Sequence, residues 1–179
     1  MALACTWQFV LPLFLLLGTL SQSYPIRLEL HRRFTSEILE ILDAMGGAFP
    51  VLCREQGMQI KSLDLMEIAK NAKAEDKVMI FYQILRHTSK IYRTNVCSTM
   101  WDKNGLDEFA MLLFQQLKEL RQDLGERQSG LKIFGRKRIR TYFRKLRTFL
   151  QNKGYNRCAW EMIRNESRKN LEEAISLLV

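Results

Sequence analysis

Residues 106–124 read LDEFAMLLFQQLKELRQDL, and Leu106, Phe109, Leu113, Leu117, Leu120 and Leu124 step along them by three or four. With 3.6 residues to a turn, that spacing gathers the apolar side chains into one stripe of a helix and leaves the polar ones on the other face. Gly125 follows as a stop signal. A helix of this kind needs partners to cover its stripe, so the rest of the chain should supply them.

The same period recurs on both sides. A helix is predicted over 28–45, where Phe34, Ile38, Ile41, Leu42 and Met45 share a stripe that ends at Gly46-Gly47, glycines able to take the positive φ that closes a helix. Another over 76–92 aligns Val78, Phe81, Tyr82, Leu85 and Tyr92. A further helix over 136–153 is bracketed by Gly135 and Gly154. Asn156 caps the last one, in which Trp160, Ile163, Leu171, Ile175 and Leu178 share a face. Trp160, at core spacing, reads as a packing residue. After residue 24 the only prolines are Pro25 and Pro50, so the fold class is all-α. The connection 46–75 is longer than compact domains leave unstructured and predicts a functional or partly helical crossover.

From Met1 to Ser23 no side chain is charged, and the apolar run Phe9 to Leu20 precedes the small residues Ser21 and Ser23. This is the pattern of a secretory signal cleaved after Ser23. The run is shorter than the roughly 18 apolar residues a membrane span needs, and residues 24–179 make one domain with no other candidate span. The formal net charge of +9 stays with that domain and favours anionic partners. It concentrates in 131–147, which hold eight Lys or Arg and no acid. On a helix, Ile139, Phe143, Leu146 and Leu150 form one stripe, Tyr142 and Phe149 its margin, and Arg136, Arg140, Arg144 and Arg147 another stripe. Secretion argues against a nuclear address or an intracellular nucleic-acid partner for GRKRIR. A membrane-active helix conflicts with the need of the other helices for this apolar stripe, and a solvated face is the bland alternative.

Cys53, Cys97 and Cys158 remain after Cys5 leaves with the signal. Three cysteines permit one internal bridge in three pairings. His31 and His87 lack the Cys/His spacing of a zinc site and read as surface or half-buried residues without a metal or catalytic role. No phosphate loop, nucleophile elbow or supported catalytic set occurs. We therefore expect no enzyme, metal or cofactor, and a secreted helical-bundle cytokine.

Residues 142–166, YFRKLRTFLQNKGYNRCAWEMIRNE, carry a more specific sign. Tyr142-Phe143, Leu150, Lys153, Tyr155, Cys158-Ala159-Trp160-Glu161, Arg164 and Glu166 resemble the C-terminal signature of vertebrate type I interferons, in particular those of fish. Weaker echoes occur at His31-Arg32-Arg33, Trp101-Asp102, Leu106-Asp107-Glu108-Phe109 and Gln115-Gln116-Leu117. The resemblance implies a four-helix-bundle cytokine of about five helices with an up-up-down-down core. It also implies a Cys53–Cys158 disulfide, leaving Cys97 a free thiol, since the family's second bridge has no early cysteine here.

The resemblance further implies a monomer that bridges a two-chain class II cytokine receptor and signals through the JAK-STAT route to an antiviral state. One receptor chain would meet the first long loop and last helix through Arg54, Arg164, Arg168 and Lys169, although Arg54 is placed differently from the mammalian pattern. The other would meet Arg140 and Arg144. Asn165-Glu166-Ser167 is an N-glycosylation sequon, and a glycan at Asn165 would obstruct the first face. The competing readings are a cytokine of the interleukin-10 or type III interferon group, expected to carry more disulfides, and a cationic host-defence protein that binds membranes or polyanions directly.

Overall fold

The computed structural model describes residues 27–56, 60–94, 96, 101–125 and 135–178. Residues 1–23, where a signal segment is expected, and Cys97 lie outside them. Among the described residues there are six α-helices and no strand: α1 Leu28–Gly46, α2 Leu65–Ala69, α3 Ala74–Tyr92, α4 Lys103–Leu124, α5 Arg136–Asn152 and α6 Arg157–Ser176. The crossover between α1 and α3 holds a 3-10 turn, Val51–Gln56, as well as α2, which agrees with the partly helical expectation.

Helix boundaries follow local chemistry. Asn156 caps α6 as the sequence indicates, its side chain accepting from Ala159 N–H at 2.9 Å. Asp102 accepts from Gly105 N–H at 2.7 Å, so α4 starts before its apolar stripe begins. The positive φ of Gly47 ends α1. Gly135, also at positive φ, opens α5 where any Cβ would collide with the Ile68 side chain, so α2 and the start of α5 pack closely.

Side-chain contacts fix the directions of the helices. His31 and Arg27, at the start of α1, bond Asp123 at the end of α4, while Asp102 N–H reaches Met45 O. Thus α1 and α4, the most extensive helix pair, are antiparallel. Arg32 bonds Leu178 O and Arg164 bonds Leu42 O, so α6 also runs against α1. Tyr92 packs on Phe109 and Trp160, and Tyr82 meets Arg121, which aligns α3 with α1. The core helices α1, α3, α4 and α6 are therefore up-up-down-down. Helix α5 runs against α6, with Tyr142 donating to Glu166 at 2.8 Å.

The predicted stripes fill the core. Ile38, Leu42, Phe81, Phe109, Leu113, Leu120, Phe143, Leu146 and Trp160 are all buried. Both histidines are also buried, not at the surface. His31 Nε2 lies 2.9 Å from Asp123 Oδ2. The neighbouring Gln116 donates to His31 O and Thr35 Oγ1, each at 2.9 Å, so this polar layer is cross-linked. His87 stacks on Phe143 with ring centroids 5.1 Å apart. Burial, reinforced by the charges of Lys90, Arg147, Arg86 and Arg140, pushes its imidazole down to about 4.

Cys53 and Cys158 are joined, tying the crossover to the start of α6 across 105 residues of sequence. Closing so long a loop stabilises a fold by about 4–5 kcal/mol in the chain-entropy account. The Cys53→Ser/Cys158→Ser variant is expected to melt roughly 8–20 °C lower by calorimetry, and an unchanged Tm would contradict that role. A pH effect follows from His87. The fold holds it neutral, whereas the unfolded chain takes up a proton near pH 6.5. Its contribution is complete above that pH and is lost, by about 3 kcal/mol, as pH falls toward 4. Urea midpoints at pH 7 and pH 4 should diverge more in the native protein than in His87→Phe; equal divergence would count against this.

Candidate functional site

The signature residues of α6 come together inside the molecule. Glu161 and Arg164 are 1% and 6% exposed. Glu161 accepts from Trp101 Nε1 at 2.6 Å and from Arg164 Nε at 2.9 Å. Arg164 also donates through Nη1 to Leu42 O at 2.9 Å and through Nη2 to Gly47 O at 2.7 Å. A buried pair of charges persists only when its donors and acceptors are matched in this way. The guanidinium also sits at the negative end of the α1 dipole. A Cβ at Gly46 would run into the Arg164 guanidinium, so that glycine leaves room for the arginine. Sequence spacing identified Gly46 only as part of a helix stop.

Around this strut is a mixed surface. The 3-10 turn, held to α6 by the disulfide, exposes Val51 and Leu52 by 71% and 86%. Arg54 is exposed beside them. Arg168 bonds Asp43 on α1 at 2.9 Å and Glu172 at 2.6 Å, and Lys169 reaches Glu166 at 3.3 Å. Asn165 is exposed while Ser167 of the same sequon is fully buried. Of the basic residues expected here, Arg54, Arg168 and Lys169 therefore reach the surface. Arg164 points inward, and its hydrogen bonds are made within the protein. Val51 and Leu52 were not singled out from sequence, since apolar residues beside a cysteine read as core; their position directly after Pro50, outside any helical stripe, was the available signal.

Further exposed side chains stand on α4 and α5. Arg140 and Arg144 are exposed on α5, and α4 exposes Met111 and Phe114 by 61% and 60%. The apolar stripe of α5 is covered, with Ile139, Phe143, Leu146 and Leu150 all buried. That leaves α5 no apolar face to insert into a bilayer. Among the described residues no helix is long and apolar enough to cross a membrane, and no group of three or more His, Cys, Asp or Glu could hold a metal ion.

Known proteins carry the same pattern. The family model described as an interferon alpha/beta domain matches residues 28–178. Horse (Equus caballus) interferon beta is 28% identical over 174 residues, covering 93% of each chain. Interferon a3 of Oncorhynchus mykiss is 29% identical over 139 residues, 77% of this chain and 75% of that one. The solved structure of zebrafish interferon 1 superposes with a TM-score of 0.67 at 23% identity, over 84% of this chain and 95% of the other, which supports the fold. Signature, fold and family match agree: the chain belongs to the interferon alpha/beta family, the type I interferons, whose members are cytokines and not enzymes.

Proposed function

We propose that residues 24–179 act as a secreted, monomeric cytokine, released after cleavage behind Ser23, that bridges two class II cytokine receptor chains and triggers JAK-STAT signalling and an antiviral state. The observation that carries this reading is the presence of two separate exposed surfaces. One combines the apolar Val51 and Leu52 with Arg54, Arg168 and Lys169, a mixture of apolar anchor and polar rim suited to a protein partner. The other presents Arg140 and Arg144 on α5, where positive charge favours encounter with an acidic receptor surface.

In this reading Arg164 serves the first surface indirectly. It holds the end of α1 and the start of the crossover against α6, and so sets where Leu52 and Arg54 stand. The sequon at Asn165 goes unoccupied, because a glycan would cover that surface. A glycosidase-sensitive mass increase in fully active protein would rule out this face.

The test is STAT phosphorylation in cells minutes after addition of purified protein, paired with binding to each isolated receptor chain. Leu52→Ser and Arg54→Ala should weaken one chain by about tenfold or more if Leu52 is a central contact, and Arg140→Ala/Arg144→Ala should weaken the other. Arg164→Ala should lower both stability and binding to the first chain. A folded protein that elicits no phosphorylation, or variants that affect both chains alike, would contradict the assignment.

A further inference from the structure

A groove of about 340 Å³ between α3 and α4 is lined by Arg86, Lys90 and Arg93 from one helix and by Phe114, Lys118 and Arg121 from the other. No carboxylate lines it. None of its five cations forms a salt bridge among the described residues. Tyr82 OH lies 3.4 Å from Arg121 Nη2 and steadies that guanidinium at the groove wall. Five charges with no ion pair among the described residues repel each other around one concavity, and an anion seated among them would relieve that repulsion. On the other side of α3, Arg140 and Arg147 of α5 stand close enough to act, together with Arg86 and Lys90, on the buried His87. Exposed cations thus stand on α5 as well, at Arg140 and Arg144.

We infer that the α3–α4 groove forms a binding site for a sulfated extracellular polysaccharide, with sulfate groups seated among Arg86, Lys90, Arg93, Lys118 and Arg121. Guanidinium groups match sulfate oxygens with paired N–H donors, and the lysines add point charges at the rim. A nucleic acid fits less well. Phe114 is the one exposed aromatic among the residues lining the groove, so the groove offers a single platform and no row of them for stacking bases. A lipid surface fits less well again, because the apolar stripe of α5 is used by the core. The site relies on secretion but on neither receptor contact. A bound polysaccharide would retain the protein near its source.

The test uses purified full-length mature protein and no receptor, so its outcome is separate from that of the signalling assay. Affinity for immobilised heparin at physiological salt is compared for the native protein, for Lys90→Ala/Arg93→Ala/Lys118→Ala, and for Arg33→Ala/Lys70→Ala/Lys103→Ala. Both triple variants remove three exposed cations, so net charge falls equally while only the first alters the groove. The groove variant should bind about tenfold more weakly and the control should stay close to native. Equal losses in the two would show a bulk charge effect and overturn the site. Tighter binding to a single-stranded oligonucleotide or to phosphatidylserine vesicles than to heparin would overturn the choice of ligand.

Discussion

The ion pair between Glu161 and Arg164 is the constraint on which the rest of the arrangement depends. It lies inside the protein, where unpaired charge is costly, and removing one member of such a pair typically costs about 3–5 kcal/mol. Its geometry shows why it is tolerated. Glu161 takes the Trp101 indole N–H as well as the arginine, and Arg164 takes two backbone carbonyls at the end of α1. One pair thus fastens α6, the end of α1 and the segment that leads into α4. The disulfide at Cys158, three residues before Glu161 on the same helix, anchors the crossover beside it. The exposed turn with Val51 and Leu52 therefore projects from a doubly tethered base.

Other polar layers set the register of the remaining helices. At the far end of the α1–α4 pair, Asp123 bonds His31 and Arg27, and its carboxyl is held below the usual range: burial acts against that shift, but the bonds from His31 and Arg27 outweigh it. Between α5 and α6, Tyr142 OH lies between Glu166 and Asn170. Burial raises that phenol far above its ordinary value; the hydrogen bond from Asn170 acts against the shift, while Glu166 and Glu173 add to it, so it stays a neutral donor. Apolar stripes alone would allow the helices to slide by a turn, whereas these directional contacts fit only one alignment. Fixing α5 in this way turns Arg136, Arg140 and Arg144 outward.

The bundle was legible in the sequence because its stripes are unbroken: α1, α3, α4 and α5 each carry apolar residues at helical spacing, and Asn156 and Gly125 mark ends that the structure retains. The disulfide was legible only through family resemblance, since three cysteines leave three pairings open. Arg164 illustrates the limit. Arginine is ordinarily an exposed residue, and its burial here depends on carbonyls at Leu42 and Gly47, more than a hundred residues away in sequence. No local pattern encodes that. The burial of His31 has the same origin, because its partner Asp123 lies on another helix. Val51 and Leu52 were hidden for the opposite reason, being apolar yet outside every stripe.

Hydrogen exchange on Arg164→Met, compared with the native protein, tests most directly whether the buried pair positions the crossover. Faster exchange is expected for backbone amides around Gly47, in the 3-10 turn and near Trp101 and Asp102, with protection in the middle of α3 and α5 retained. Unchanged exchange at the end of α1 and in the turn would contradict it, since Arg164 would then be dispensable to the surface it is claimed to hold in place.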